Sequence, residues 1–118
     1  MPEIDLRCYV ITGRGSDTDI ISTARSAAQG GAGIIQVRSK PIDAGHLLKL
    51  SEEVALAVAE ANPQTKVVID DRVDIAAILM RRGFPVHGVH VGKSEIPVSA
   101  VRELLGPEAI IGLTTGTA

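Results

Sequence analysis

Two short stretches carry residue types from which a charged site can be built: Gln36-Val37-Arg38-Ser39-Lys40 and Ile69-Asp70-Asp71-Arg72. Each stands where an apolar run ends. Successive side chains of a strand face opposite sides, so Gln36, Arg38 and Lys40 project together while Ile35 and Val37 take the other side. Val67-Val68-Ile69 reads as buried strand, and Asp70 and Asp71 follow at its carboxyl end. Cations from one strand and carboxylates from another suit a metal-bound, multiply charged anion such as a diphosphate. Mg²⁺ in particular takes one or two protein carboxylates and completes its shell with water and phosphate oxygens.

The elements that must position these residues follow from the apolar pattern. Cys8-Tyr9-Val10-Ile11 reads as a first strand, and Asp17 or Thr18 can cap the helix that carries Ile20, Ala24, Ala27 and Ala28. Gly30-Gly31 ends that helix, and the second strand runs from Ile34 to Arg38. A long helix follows with Asp43 as its cap and Leu47, Leu50, Val54 and Val58 on one face. Lys66 to Ile69 is the third strand, Val73 to Arg82 a helix stopped by Gly83, and Val86 to Val91 the fourth strand. Pro97 opens a fourth helix ending at Gly106-Pro107, and a fifth strand begins at Ile110.

Strands alternating with helices, each strand apolar on both faces, imply a parallel sheet covered by helices. Right-handed crossovers leave two closures: an α/β TIM barrel of the (β/α)8 type, cut to about five strands and four helices, or an open flavodoxin-like sheet. Both put function at the carboxyl ends of the strands. Both also need elements after strand five, so the 118 residues read as one truncated domain.

Composition removes several function classes. With a net charge of -2, one Tyr, one Phe and no Trp, the chain lacks the basic stripes and stacking platforms of a nucleic-acid binder. The single Cys8 can form no internal disulfide, which fits a reducing compartment. Met1-Pro2-Glu3-Ile4-Asp5 has no signal-peptide apolar region, and no apolar stretch reaches the roughly 20 residues of a membrane span. A cytoplasmic protein without membrane partners is expected. Three scattered His and one Cys give no zinc spacing. Gly13-x-Gly15 lacks the third glycine of a dinucleotide fingerprint, because Thr18 occupies its place.

Five segments in order resemble the superfamily of thiamine phosphate synthase and the TenI-type thiazole tautomerases. They are Tyr9 to Thr12, Gly30 to Lys40, Ile69 to Asp74, Gly88 to Pro97, and Leu105 to Gly112. The resemblance implies a (β/α)8 barrel and a Mg²⁺-dependent transferase joining a pyrimidine diphosphate to a thiazole phosphate with release of diphosphate. It also implies roles. Gln36, Arg38 and Lys40 match the family's Gln-x-Arg-x-Lys, which handles the pyrimidine diphosphate, with Arg38 and Lys40 the catalytic cations. Asp70 and Thr114 fall at substrate-binding positions, and Asp71 and Glu95 at metal-binding ones.

The chain departs from the family pattern in several places. Asp70 stands where Asn is usual, Lys93 where Gln, Glu95 where Asp, Thr114 where Ser, and Gly13 where Asp. Gly116 occupies the place of the tautomerase His, which counts against that branch. The chemistry fits these residue types independently: when a C–O bond to diphosphate breaks, Mg²⁺, Arg and Lys stabilise the charge developing on the leaving group.

Plainer readings stand beside these. Arg38 and Lys40 can be strand-end charges paired with Asp43 or another acid, and one of Asp70 and Asp71 can cap the helix at Val73. Arg72 and Asp74 read as a local ion pair, Glu95 as part of a cap ahead of Pro97, His46 as exposed, and His90 as structural. The alternative to a transferase is a non-catalytic half-barrel that binds a thiamine-related ligand or assembles with another chain. A homo-oligomer is expected, because unpaired edges at strands one and five invite pairing.

Overall fold

The computed structural model describes residues 9–12, 15–38, 43–92 and 97–114, and for 113 and 114 the backbone only. Five strands alternate with four helices: β1 (Tyr9–Ile11), α1 (Asp17–Gln29), β2 (Ile34–Val37), α2 (Ala44–Ala61), β3 (Lys66–Asp70), α3 (Val73–Arg81), β4 (Gly88–Gly92), α4 (Val98–Leu105) and β5 (Ile110–Thr114). All neighbouring strands are parallel, in the order β1-β2-β3-β4-β5. That sequential order is the wall of a (β/α)8 barrel. It rules out the open flavodoxin-like alternative, whose order is 2-1-3-4-5.

One face of this sheet makes the core. Val10, Ile35, Val37, Val67, Ile69, Val89, Val91 and Ile111 pack against Ile20 of α1, Leu47, Leu50 and Val54 of α2, Leu79 of α3 and Val101 of α4. Full burial of each such side chain contributes about 1.5–3 kcal/mol. Consecutive helices pack against one another, so all four form a single layer on that face.

The expectation that each strand is apolar on both faces is therefore corrected. Register puts Tyr9, Ile11, Ile34, Gln36, Lys66, Val68, Asp70, Gly88, His90, Ile110 and Gly112 together on the other, inner face. A barrel wall carries its helices outside only. In runs of three to five residues the aliphatic majority hides the polar parity.

Local chemistry sets the element ends. The α1 cap is Ser16, not Asp17 or Thr18: its Oγ accepts from the Asp19 N–H at 3.1 Å, and the Asp19 carboxylate accepts from the Ser16 N–H at 3.2 Å. This reciprocal box needs an acid three residues on, which only Ser16 has. Asp43 caps α2 as expected, accepting from the His46 N–H at 2.9 Å. Neither Asp70 nor Asp71 caps α3. Asp71 lies in the left-handed region at φ 68°, so the N-cap falls on Arg72, which makes no side-chain capping bond. β4 starts at Gly88 rather than Val86, and β3 extends one residue further, through Asp70. Gly88 meets β5 closely, since a Cβ there would stand 1.8 Å from the Ile110 carbonyl oxygen.

Candidate functional site

The inner face ends, at the carboxyl side of β1 to β4, in a set of polar residues held from below. Thr12 closes β1 and is 1 % exposed. Its hydroxyl accepts from the Arg38 N–H at 2.9 Å and donates to the Arg38 carbonyl at 3.1 Å, so one side chain satisfies both backbone groups of the residue just past β2. Gln36, buried on the inner face, donates from Nε2 to the Tyr9 hydroxyl at 2.8 Å.

Above Gln36 the polar groups form a row. Arg38 Nε stands 3.8 Å from Asp70 Oδ2, with the Arg38 side chain 55 % exposed and that of Asp70 13 %. Asp70 is the register partner of His90, and His90 of Gly112. A Cβ on Gly112 would lie 2.6 Å from His90 Nδ1, so the absence of a side chain there is what lets the imidazole lean over β5. Arg38, Asp70, His90 and Gly112 thus cross four adjacent strands at one level. Asp71 follows Asp70, and its N–H donates to the His90 carbonyl at 2.7 Å.

Among the residues expected from sequence, the structure sets Arg38 against Asp70, with Gln36 lower on the same inner face and Asp71 next along the chain. Arg38 has an acidic partner, as the plainer reading anticipated, but that partner is Asp70 and it lies within the same row. Lys40 and Glu95 lie outside the described residues, with Cys8, Gly13, Lys93 and Gly116. Thr114 is placed by its backbone alone, opposite Gly92 in β5.

Sequence reasoning assigned no role to Thr12 and Tyr9, and it read His90 as structural. The available signals were Thr12 as the polar residue closing an apolar run, and the shared parity of Tyr9 with Gln36 and of His90 with Asp70. Among the described residues, no group of three or more His, Cys, Asp or Glu side chains stands close enough to hold a metal. One or two carboxylates beside a cation fit Mg²⁺ that reaches the protein with a phosphate ligand.

Other polar groups do structural work. Arg72 donates to Asp74 at 2.8 and 3.1 Å, the local ion pair expected; this hydrogen bonding holds the Asp74 carboxyl below its ordinary pKa and raises that of Arg72. His87, just before β4, accepts on Nδ1 from the Val67 N–H at 3.0 Å. Burial, with Lys66 adding to it, pushes the His87 pKa down. His46 is exposed, and its Nε2 lies 2.6 Å from Asp17, tying the start of α2 to the start of α1. A cleft of about 1290 Å³ lined by Lys66, Met80, His87, Leu105 and Ile110 opens at the opposite, amino-terminal ends of the strands.

The sequential parallel sheet finds its counterpart in one family. Residues 8–118 match the family model described as thiamine monophosphate synthase. The chain belongs to the thiamine monophosphate synthase family. It is 61% identical over 116 residues to the thiamine-phosphate synthase of Corynebacterium efficiens, covering 98% of this chain and 52% of that protein. To the thiamine-phosphate synthase of Corynebacterium jeikeium it is 54% identical, over 97% of this chain and 51% of the relative.

A solved structure in the same family, the thiamine phosphate pyrophosphorylase from Pyrococcus furiosus, superposes with a TM-score of 0.72 at 26% identity. It covers 92% of this chain and 52% of that one. The chain spans about half the length of the curated relatives it matches. Within the family's barrel it corresponds to five parallel strands and four helices.

Proposed function

We propose that this chain, as one domain, supplies the diphosphate-binding half of a thiamine phosphate synthase site in the cytoplasm. The reaction transfers a hydroxymethylpyrimidine group from its diphosphate to a thiazole phosphate and releases diphosphate. The observation that carries this reading is the Arg38–Asp70 pair at the carboxyl ends of β2 and β3, with Gln36 on the same face and Asp71 following, in a member of the family. Arg38 is anchored through its backbone by Thr12 while its guanidinium reaches solvent, which suits a cation that must meet an incoming anion. With Lys40, it would stabilise negative charge on the leaving diphosphate as the C–O bond breaks. Asp71, and Glu95 three residues on from Gly92 in the sequence, would hold Mg²⁺, which when bound neutralises the same charge. No protein nucleophile is required. Thr114 and Gln36 would orient the substrate.

The test is calorimetric titration of the 118-residue chain with inorganic diphosphate, with and without Mg²⁺. Binding that needs Mg²⁺ is expected, and Asp71→Ala should weaken it about tenfold or more, near 1.4 kcal/mol. His46→Ala, at an exposed helix start, should leave it unchanged. Equal effects of the two substitutions would remove the site assignment.

A second reading is favoured by Tyr9 and Ile11, which stand 37% and 50% exposed on β1, on the face that carries no helices. A non-catalytic half-barrel that pairs with another chain, or a homo-oligomer, would cover them. Sedimentation showing a dimer without any turnover would support this reading over the first.

A further inference from the structure

We propose that the cleft at the amino-terminal ends of β3 to β5 is a second binding site, for a small molecule with an apolar body and one carboxylate. It lies at the opposite end of the sheet from Arg38 and Asp70, and it stands independently of the diphosphate reading. At about 1290 Å³ it has room for a ligand of this kind. Met80 of α3, Leu105 at the end of α4 and Ile111 of β5 give it apolar walls.

The polar side chains on those walls are mostly donors. His87 Nδ1 accepts from the Val67 N–H at 3.0 Å, so the neutral ring carries its proton on Nε2. That N–H has no hydrogen-bond partner among the described residues, yet the buried unpartnered side-chain atom there is Ser51 Oγ, so His87 Nε2 is open to the cleft its ring lines. Lys66 makes no ion pair among the described residues, and its ammonium stands near enough to add to the burial that pushes the His87 pKa down. Arg102 is held in place, its Nη1 donating to the carbonyls of Gly106, Pro107 and Ala109 at 3.2, 3.0 and 2.7 Å. Its Nε and Nη2 hydrogens stay uncommitted among the described residues. Against these three groups the lining sets one acid, the exposed Glu108. That imbalance selects an anion, and the apolar walls select one with a hydrocarbon body, since a free inorganic anion gains nothing from them. A purely structural role accounts for His87 Nδ1 and Arg102 Nη1 but leaves Lys66 and the remaining donors without a purpose.

The experiment titrates the 118-residue chain with 4-phenylbutanoate, 4-phenylbutan-1-ol and 4-phenylbutylammonium, reading affinity by calorimetry and location from the imidazole NMR signals. The carboxylate should bind one to one and at least about tenfold more tightly than either of the others, as expected when an anion meets charged donors. The His87 signals should move, while those of His46 and His90 stay in place. Lys66→Gln should bring the carboxylate to within about threefold of the alcohol, with the far-UV circular dichroism unchanged. Glu108→Gln, at an exposed position, should tighten the carboxylate about twofold or more, which supplies a second variant should the first not fold. Wild-type protein that binds the three probes equally, or binds none, overturns the proposal without any variant. Carboxylate binding that leaves the His87 signals unmoved, or that is undiminished in folded Lys66→Gln, overturns it as well. Self-association that excludes the carboxylate would give the cleft to a second copy of the chain and overturn it too.

Discussion

The two faces of the sheet are built to opposite specifications. The outer face presents Ile35, Val37, Val67, Ile69, Val89 and Val91, all essentially without exposure, to one layer of helices. The inner face alternates Gln36, Lys66, Asp70 and His90 with aliphatic residues and with Gly88 and Gly112. Adjacent residues on one strand therefore stand in different surroundings: Ile69 in the core, and Asp70 against Arg38 at the candidate site. A parallel β-strand achieves this separation at no extra length, because its side chains change face at every step.

The sharpest way to break the comparison is to damage each face separately. Ile69→Ala removes a fully buried side chain from the outer face and should cost about 2–5 kcal/mol in urea unfolding, enough to lose most of a small domain's stability. Diphosphate binding should fall only in proportion to the protein left folded. Asp71→Gly is the converse. It relieves a left-handed non-glycine residue, so stability should stay within about 1 kcal/mol of wild type. Mg²⁺-dependent binding should drop tenfold or more, about 1.4 kcal/mol, by calorimetry. A large stability loss in Asp71→Gly would erase the distinction between the faces.

A smaller effect is expected away from both faces. Ser16→Ala removes the capping box of α1 and should cost about 1 kcal/mol, seen as a lowered thermal midpoint with binding intact.

The smallest effect concerns pH. His87 resists protonation when folded, so below its ordinary pKa of 6.5 the unfolded chain binds the proton first. Stability should therefore fall as pH drops from 6.5 towards the lowered folded value, and level off below it. His87→Asn, whose amide oxygen can still accept from Val67, should flatten that part of the urea midpoint curve.

Much of this was legible in the sequence. The five apolar runs marked the strands, the 3.6-residue spacing in α2 marked the core-facing stripe, and the polar parity of β2 showed in Gln36 and Arg38. What escaped depended on registration between strands. Nothing within Tyr9-Val10-Ile11-Thr12 reveals that Thr12 will bind the backbone of Arg38, 26 positions away. That His90 stands beside Asp70 could not be read from either strand alone. The α1 cap was misplaced by one residue because Ser16, Asp17 and Thr18 are all capping types, and only the reciprocal bond to Asp19 decides among them. The Asp71 conformation left no trace, since aspartate is at home both in caps and in left-handed turns.

Thr12 gives the site two clocks. The amide hydrogen of Arg38 is bound to a hydroxyl that is itself enclosed, so its exchange with solvent deuterium waits for β1 and β2 to part. The guanidinium at the end of the same residue moves through rotamers in solvent on the nanosecond scale. The exposed end of Arg38 is thus mounted on a shoulder that stays still for as long as the sheet is closed.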